Sequence, residues 1–322
     1  MNIIDTCYIR LAIAASLATA VWLSPAYAAP AADDTEPQAQ EAWRESIVQT
    51  DVPSDGCFYA SYPSTQWLRV PCTEAPNVPF IPRGGAIVST VGNGTDYVAQ
   101  VSGLMSGSVG SFPTVTDVVS EKDSGEANVY SLQLNSNFMT TAACGGITGC
   151  LSWEQFVYSS GEQAAFMQYW LINYGEQCPV GSWMSYEGSC YKNSAAISVP
   201  NEPITMLAGL KLSGKAVAAG KDTLTFTAGT EAYGTTGKDS VVDLASDWSE
   251  SEFNVIGDGG GSKAVFNKGS VITVRITVSD GSTAAPTCVS DAGTTGETNN
   301  LNLKTCTAFG GTTPYIRFKE SN

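Results

Sequence analysis

Two polar side chains in strand-like stretches could carry hydrolytic chemistry: Gln168 and Glu252. The chain contains no histidine, which excludes mechanisms that need an imidazole base and metal sites that need an imidazole ligand. A carboxylate can still act as general base on a water molecule, and an amide N–H can stabilise the oxyanion of a tetrahedral intermediate. This pair of groups requires neither a metal ion nor a covalent nucleophile, and we expect no cofactor.

Gln168 stands among aromatic residues. Residues 166–174 read Phe-Met-Gln-Tyr-Trp-Leu-Ile-Asn-Tyr, and in a strand Gln168, Trp170 and Tyr174 share one face. An amide beside large rings is the composition of a binding surface, where Trp170, Tyr174 and the nearby Trp153 would contact a substrate. The alternative is a glutamine at the solvent edge of an ordinary strand, since glutamine is mostly exposed.

Glu252 precedes a glycine-rich turn. In a strand Glu252 and Asn254 share one face, which makes Asn254 a further substrate-binding candidate. The glycines at 259–261 would allow the backbone to approach a neighbour closely. A phosphate-binding loop is not expected because no helix-forming sequence follows, and a plain hairpin loop is the simplest interpretation of Asp258 and these glycines.

The elements that position these residues are short and β-favouring. Turn signals recur about every ten residues in the main part of the chain, a spacing that favours an antiparallel sandwich or barrel. Residues 271–278 alternate apolar and polar faces, as in a half-buried strand. The predicted strands cover residues 86–91, 97–102, 129–135, 151–158, 165–173, 223–228, 252–256, 270–278 and 315–319.

The strand with Gln168, the later strand with Glu252 and the following residues 267–274 (Asn-Lys-Gly-Ser-Val-Ile-Thr-Val) resemble the eqolisin-type glutamic peptidases. The resemblance covers residues 153–278. It implies an all-β antiparallel sandwich of the jelly-roll, concanavalin A-like lectin or glucanase type. It further implies an acid endopeptidase in which Gln168 stabilises the oxyanion, Glu252 is the general base and a polypeptide is the substrate.

Parts of the family pattern are absent. Residues 153–158 read Trp-Glu-Gln-Phe-Val-Tyr where the family has Trp-Val-Gly-Ile-Asp-Gly, and Glu252 lies in Ser-Glu-Phe-Asn. Gln155 and Glu187 compete for the same two roles. An acidic run with Glu121, Asp123 and Glu126 is close to a glucanase Glu-x-Asp-x-Glu strand, but its last acid is one position too far and would point to the opposite face.

A non-catalytic carbohydrate-binding or surface-associated protein is the alternative. Lectin-like sandwiches bind sugars by stacking rings on Trp and Tyr, and the chain has seven Trp and thirteen Tyr. A calcium ion held by Asp258, Asp280 or Asp291 would suit such a fold, but no ligand-spacing motif supports it, and we predict no metal site. A glycan is therefore the second candidate partner.

Charge and export signals narrow the partners. The net charge of -15 with only 16 Lys and Arg disfavours nucleic acid. Residues 1–28 read as a signal peptide: a short polar start ends at Arg10, residues 11–23 are apolar, and Ala-Tyr-Ala at 26–28 fits a cleavage site. The apolar run is too short to span a bilayer. We predict a secreted or extracytoplasmic monomer, with the periplasm or cell surface possible and no membrane span in the mature chain.

Eight cysteines remain after residue 28, and an even number in an exported protein indicates disulfides. Their spacing suggests sequential local pairs, although eight cysteines allow 105 connectivities. The domain prediction is an acidic disordered leader at 29–50 with one docking helical turn near 41–48, a small Pro-rich disulfide unit at 51–83, and a β-sandwich at 84–322. The suggested pairs are Cys57 with Cys72, Cys144 with Cys150, Cys178 with Cys190, and Cys288 with Cys306.

Overall fold

A computed structural model describes residues 35–84 and 89–322. The predicted signal peptide and the start of the predicted leader lie outside these described residues. Helix α1 spans Thr35–Ile47, and short 3-10 helices span Ala142–Cys144, Ile204–Gly209, Asp239–Val241 and Leu244–Ser246. The strands are β1 Cys57–Ser61, β2 Leu68–Val70, β3 Tyr97–Gln100, β4 Gly107–Thr116, β5 Glu121–Asp123, β6 Glu126–Ala127, β7 Ser131–Ser136, β8 Leu151–Ser159, β9 Ala164–Ile172, β10 Met184–Tyr186, β11 Ser189–Asn193, β12 Ile197–Ser198, β13 Leu210–Ala216, β14 Lys221–Ala228, β15 Glu231–Lys238, β16 Glu250–Ile256, β17 Lys263–Phe266, β18 Val271–Ser279, β19 Thr287–Ser290, β20 Thr298–Asn299, β21 Asn302–Phe309 and β22 Tyr315–Ser321.

The strands form two large sheets and a small one. Sheet I has the order β2-β1-β15-β14-β13-β4-β18-β22-β21, and sheet II has the order β10-β11-β9-β8-β7-β16-β3-β19, with β12 paired to β9. All pairs within these two sheets are antiparallel. A four-stranded sheet, β20-β17-β5-β6, adjoins them.

The two large sheets stack face to face. Tyr158 of sheet II and Phe226 of sheet I stack with ring centroids 4.1 Å apart, and both rings are buried. Phe253 of sheet II packs so closely on sheet I that a Cβ at Gly110 would lie 2.1 Å from its ring. The predicted antiparallel β-sandwich is confirmed, and sheet II therefore has an inner face toward the core and an outer face.

The N-terminal part of the described chain packs on sheet I. β1 pairs with β15 on one side and β2 on the other, so these strands extend sheet I despite the surrounding prolines; a separate unit at 51–83 stays a prediction. The predicted docking turn is part of the longer helix α1, whose Trp43 and Ile47 are buried. Lys211 of sheet I bonds Glu41 and Glu45 of this helix.

All four sequential disulfides form: Cys57–Cys72, Cys144–Cys150, Cys178–Cys190 and Cys288–Cys306. Disulfides of this kind are consistent with an oxidising, extracellular environment. Within residues 35–84 and 89–322, no helix is long and apolar enough to cross a membrane.

Eight of the nine predicted strands form within a few residues of their expected bounds. The ninth, at 86–91, falls partly outside the described residues, and residues 89–91 are bends rather than a strand. Several strands were not predicted because turn-type residues lie inside them, as in β13 (Leu-Lys-Leu-Ser-Gly-Lys-Ala) and β15 (Glu-Ala-Tyr-Gly-Thr-Thr-Gly-Lys).

Candidate active site

A row of polar side chains crosses the outer face of sheet II. The register places Gln168 of β9 opposite Gln155 of β8, Gln155 opposite Asn135 of β7, and Asn135 opposite Glu252 of β16. Asn193 of β11 lies opposite Gln168 at the other end. Directly opposed residues share a face, so these five residues form one line, here called the polar row.

Gln168 and Glu252 are separated by three strand spacings. Neighbouring strands lie about 4.8 Å apart, which places the two Cα atoms about 14 Å from each other. Both side chains are buried, with 0 % of Gln168 and 2 % of Glu252 exposed. The solvent-edge interpretation of Gln168 is therefore wrong: something covers this face.

The cover over Gln168 is an extended segment of the chain itself, residues 76–83, here called the covering segment. The amide of Gln168 bonds its main chain twice: Nε2 donates to Val78 O at 3.0 Å, and Oε1 accepts from Phe80 N at 2.7 Å. Nε2 also donates to Asn193 Oδ1. The amide thus holds a peptide main chain through both of its polar atoms.

Main-chain hydrogen bonds continue along the covering segment. Asn193 Nδ2 donates to Pro76 O, and Gly260 N donates to Pro79 O. Further on, Gly296 N donates to Ile81 O, and Arg83 N donates to Thr294 O. The segment therefore runs across the strands, from β11 and β9 toward the loop that covers β16.

Glu252 lies beneath the loop of residues 293–297. Its Oε2 accepts hydrogen bonds from Thr294 N at 2.7 Å, Thr295 N at 3.1 Å and Asn135 Nδ2 at 3.2 Å. Its Oε1 has no hydrogen-bond partner among the described atoms and lies against Gly293, where a Cβ would be 2.5 Å from it. One carboxylate oxygen is held in place, and the other is available for a further hydrogen bond.

Amides fill the space between the two ends of the row. Gln155 Nε2 donates to Gln133 Oε1 at 3.0 Å, and Gln133 Nε2 donates to Glu297 Oε2 at 3.2 Å. Glu297 Oε1 accepts from Ile81 N and from Gly261 N, both at 3.0 Å. Glu297 was not predicted from the sequence, because it lies in a loop whose position depends on tertiary contacts.

The other predicted site residues take different places. Trp153 and Trp170 are fully buried on the outer face with Tyr191, where Trp170 stacks on Tyr191 at 5.1 Å. Asn254 lies two residues after Glu252 on the same face of β16, where it is buried and donates hydrogen bonds to Asp96 and Glu320. Tyr174 lies beyond the end of β9 and packs against the main core.

Of the competing residues, Gln155 lies in the polar row and Glu187 does not. Glu187 occupies an exposed turn between β10 and β11, with a φ of 46°. The glycines after Glu252 do bring the backbone close to a neighbour: a Cβ at Gly259 would lie 2.5 Å from Val78. That neighbour is the covering segment.

Several acidic side chains lie near Glu252, and none of them forms an ion pair within the described residues. Burial and the charges of Glu252 and Glu320 raise the pKa of Asp96 well above its usual value. Burial raises the pKa of Glu320 to about 8, and burial also raises the pKa of Glu297. The ion pairs found in the described residues all involve α1 or Asp51, so Asp96, Glu297 and Glu320 have no ion-pair partner there and are favoured in their protonated forms.

Two further groups of buried acids lie away from the polar row. Between the sheets, burial and the charge of Asp239 raise the pKa of Asp222 to about 8, and the pKa of the adjacent Glu154 is also raised, first by burial and then by Asp222. Near the small sheet, burial raises the pKa of Glu121 to about 8 and that of Asp258 to about 7. Asp222, Glu121 and Asp258 would therefore carry a charge only near neutral pH and above.

No metal site emerges from the described part of the chain, where no group of three or more acidic or cysteine side chains is arranged to hold an ion. The acids considered for calcium lie in different turns. Asp258 follows β16 and accepts hydrogen bonds from Ser159 and Gly161. Asp280 follows β18 and accepts a hydrogen bond from Ser282, and Asp291 follows β19.

Among solved structures, the chain is similar to a scytalido-glutamic peptidase with a transition-state analog inhibitor, at 12% identity over 73% of this chain and 99% of that chain, with a TM-score of 0.32. A complex of scytalido-glutamic peptidase with a peptide-based transition-state analog is 13% identical, over 70% of this chain and 96% of that chain, with a TM-score of 0.33. SCP-B, an eqolisin-family peptidase in complex with the tripeptide Ala-Ile-His, is 10% identical, over 70% of this chain and 96% of that chain, with a TM-score of 0.30. No family model and no curated protein matches the chain. TM-scores near 0.3 are too low to carry a functional conclusion.

Proposed function

We propose that this chain is an exported, histidine-independent acid endopeptidase of the glutamic type. Glu252 is the general base on the attacking water, and Gln168 stabilises the oxyanion of the tetrahedral intermediate. The substrate is an extended polypeptide. The sandwich is of the concanavalin A-like type in this proposal, and Trp153, Trp170 and Asn254 support the substrate-binding face, whereas Tyr174 packs against the main core.

The observation that carries the proposal is the bond from Gln168 Nε2 to the carbonyl oxygen of Val78. An oxyanion stabiliser donates a hydrogen bond to a peptide carbonyl oxygen, and that bond strengthens as negative charge develops there. Gln168 already makes this contact to a peptide of the chain itself. The outer face of sheet II therefore offers a peptide carbonyl the group that acyl transfer requires.

The spacing of the polar row leaves room for one water only if the intervening amides of Gln155 and Asn135 turn aside. Extended Gln and Glu side chains each reach about 5 Å from their Cα atoms. Across about 14 Å, two such side chains turned toward each other leave a gap of about 4 Å, close to what one water with two hydrogen bonds of about 2.8 Å fills. Gln155 and Asn135 lie within this gap, so they must turn aside when the water binds.

Acidic conditions favour the proposed role of Glu252 as the base. Asp96, Glu297 and Glu320 surround the site, and the pKa of each is raised, with burial as the main cause. At low pH these groups are neutral and impose no like-charge repulsion on the base. As the pH rises they ionise, and none of them has an ion-pair partner among the described residues.

The described arrangement is closed to substrate. The covering segment occupies the space over Gln168, and the loop at 293–297 covers Glu252. Catalysis therefore requires that the covering segment leave this face. Its N-terminal end stays attached in that event, because Cys72 is bonded to Cys57 of β1.

The carbohydrate-binding alternative would use tryptophan rings that are not accessible in the described arrangement. The rings of Trp153 and Trp170 are fully buried, and a sugar stacks on an aromatic face only where that face is accessible. Displacing the covering segment would uncover some of this surface, so a glycan array tests this function separately.

Casein cleavage across pH 3 to 7 tests the proposal. The full chain is incubated at each pH both directly and after a period at pH 3, which neutralises the acids around the covering segment. We expect fragments below about pH 5, with more after the acid period. Intact casein at every pH, from a chain shown to remain folded, would contradict the proposal.

A further inference from the structure

The contact surface of the covering segment has the properties of a peptide-binding groove with one pronounced side-chain pocket. The segment is extended, forms main-chain hydrogen bonds to the sandwich at Val78, Phe80 and Ile81, and fully buries the side chain of Phe80. This is how peptides bind along sheet surfaces: main-chain bonds supply affinity and pockets supply selectivity. The groove is the part of the outer face that residues 76–83 contact.

The pocket holds Phe80. This ring is fully buried, in a cluster with Val157, Phe166, Ala164 and Ala196. Its centroid lies 5.9 Å from that of Phe166, edge to face. Two alanines and a valine leave room for one aromatic ring, and the side chains of this cluster are apolar.

The main-chain contacts on either side of Phe80 do not depend on its side chain. Gln168 accepts from Phe80 N, and Glu297 accepts from Ile81 N. Any polypeptide can make these two bonds, except with proline at either position. Selection along the groove therefore falls on the side chain that enters the pocket.

We propose that this groove binds extended polypeptides that place an aromatic side chain in the Phe80 pocket, and that the covering segment is an internal competitor for it. The inference names the substrate class of the proposed peptidase and so rests on that function. The occupant has the chemistry of residues 76–83: few charges, an extended main chain and one large aromatic ring.

Tethering explains why the chain keeps its own segment in place. A segment joined to the groove by a short connection has an effective concentration in the millimolar range. A free peptide of the same sequence competes poorly until contacts of the tethered copy are removed. Weakening the segment should therefore make the groove measurable.

The test uses two labelled peptides, one with the sequence of residues 74–83 and one with Ala in place of Phe80. They are titrated at pH 7 into the full chain and into Phe80→Ala and Arg83→Ala variants, all carrying Glu252→Gln to prevent cleavage. Arg83 is exposed, contacts Gly293 O and lies over the ring of Phe138, so its removal loosens the segment without altering the pocket. Val180→Ala, at a fully exposed position, is the matched control.

We expect both loosened variants to bind the Phe peptide at least about tenfold more tightly than the unloosened chain and the control do. We also expect at least about a tenfold preference over the Ala peptide, because burial of an aromatic ring contributes that much. Equal binding of the two peptides, or no binding by either folded variant, would overturn the inference. Peptide binding with the expected preference but no cleavage by the same variants with Glu252 restored would instead refute the peptidase function and leave the groove intact.

Discussion

Gln168 and Glu252 lie in the same row of sheet II, and two strands, carrying Gln155 and Asn135, separate them. On the same face, a cluster of aromatic rings lies beside the row: Trp153, Trp170 and Tyr191. The two side chains are held by different parts of the chain: Gln168 by the covering segment and Glu252 by the loop at 293–297. The proposed reaction requires both contacts to loosen.

Replacement of Gln168 tests the proposed oxyanion role. Loss of one oxyanion donor lowers kcat about 10²–10³-fold, so Gln168→Ala should reduce peptide hydrolysis by this amount at the pH of maximal activity. Gln66→Ala, at an exposed position, should leave the rate within about twofold. If Gln168→Ala cleaves at an undiminished rate, the amide has no role in the chemistry.

Thermal stability should fall as the pH rises. Buried carboxyls with raised pKa values, such as Glu320 and Asp222 at about 8, titrate near pH 4 in the unfolded chain. Their stabilising contribution is complete below pH 4 and is lost as the pH rises toward 8, because the folded state holds protons that the unfolded state releases. We expect Tm to drop by more than about 5 °C between pH 4 and pH 8, measured by scanning calorimetry. A higher Tm at pH 8 would contradict this.

Asp222→Asn should make that pH dependence shallower. The amide cannot ionise between the sheets, so the variant avoids the cost of a buried charge near Glu154 and Asp239 at high pH. We expect a higher Tm than the parent at pH 8 and little gain at pH 4. Asp55→Asn, on the exposed surface, is the matched control and should follow the parent curve. Parallel curves for Asp222→Asn and the parent would show that this carboxyl does not retain its proton.

The contact between the sheets can be tested at Gly110. An Ala Cβ there would lie 2.1 Å from the ring of Phe253, and overpacking of this kind costs about 1–3 kcal/mol. We expect Gly110→Ala to lower Tm by about 2–12 °C in a melting experiment. Gly103→Ala, where no atom lies within 4 Å of the new Cβ, should change Tm by less than about 2 °C. Equal effects would mean that the sheets do not pack closely at Phe253.

Glycan binding should be undetectable. Trp153 and Trp170 are fully buried, so neither ring can stack on a sugar in the described arrangement. A glycan array probed with the full chain and with Arg83→Ala should give no signal above background for either. A reproducible hit that Trp170→Ala abolishes would favour the lectin-like alternative over the peptidase.

The strands that carry the site were predictable because their apolar and polar residues alternate. Glu252 and Asn254 point outward while Phe253 packs inward on Gly110, as the period of two requires. Strands such as β4 and β13 were not predicted because glycine usually marks turns; in them Gly110 and Gly214 make room for the rings of Phe253 and Phe156.

The cover of the site could not be predicted from local pattern. Phe80 and Glu297 lie in segments without regular alternation, and their positions depend on contacts between distant parts of the chain. Phe80 bonds Gln168, which is 88 positions away, and Glu297 bonds Ile81, which is 216 positions away. The prolines at 76, 79 and 82 indicate an extended segment, but nothing in the sequence specifies the surface on which it lies.

The most direct measurement is the initial rate of cleavage of a fluorogenic peptide with a central Phe, at pH 4, by the Arg83→Ala chain with and without Glu252→Gln. General-base catalysis contributes about 10²–10⁴-fold, so Glu252→Gln should lower the rate at least about 100-fold, while Glu187→Gln in the same background should leave it within about twofold. Equal rates with and without Glu252→Gln, or no cleavage by the folded Arg83→Ala chain, would contradict the account.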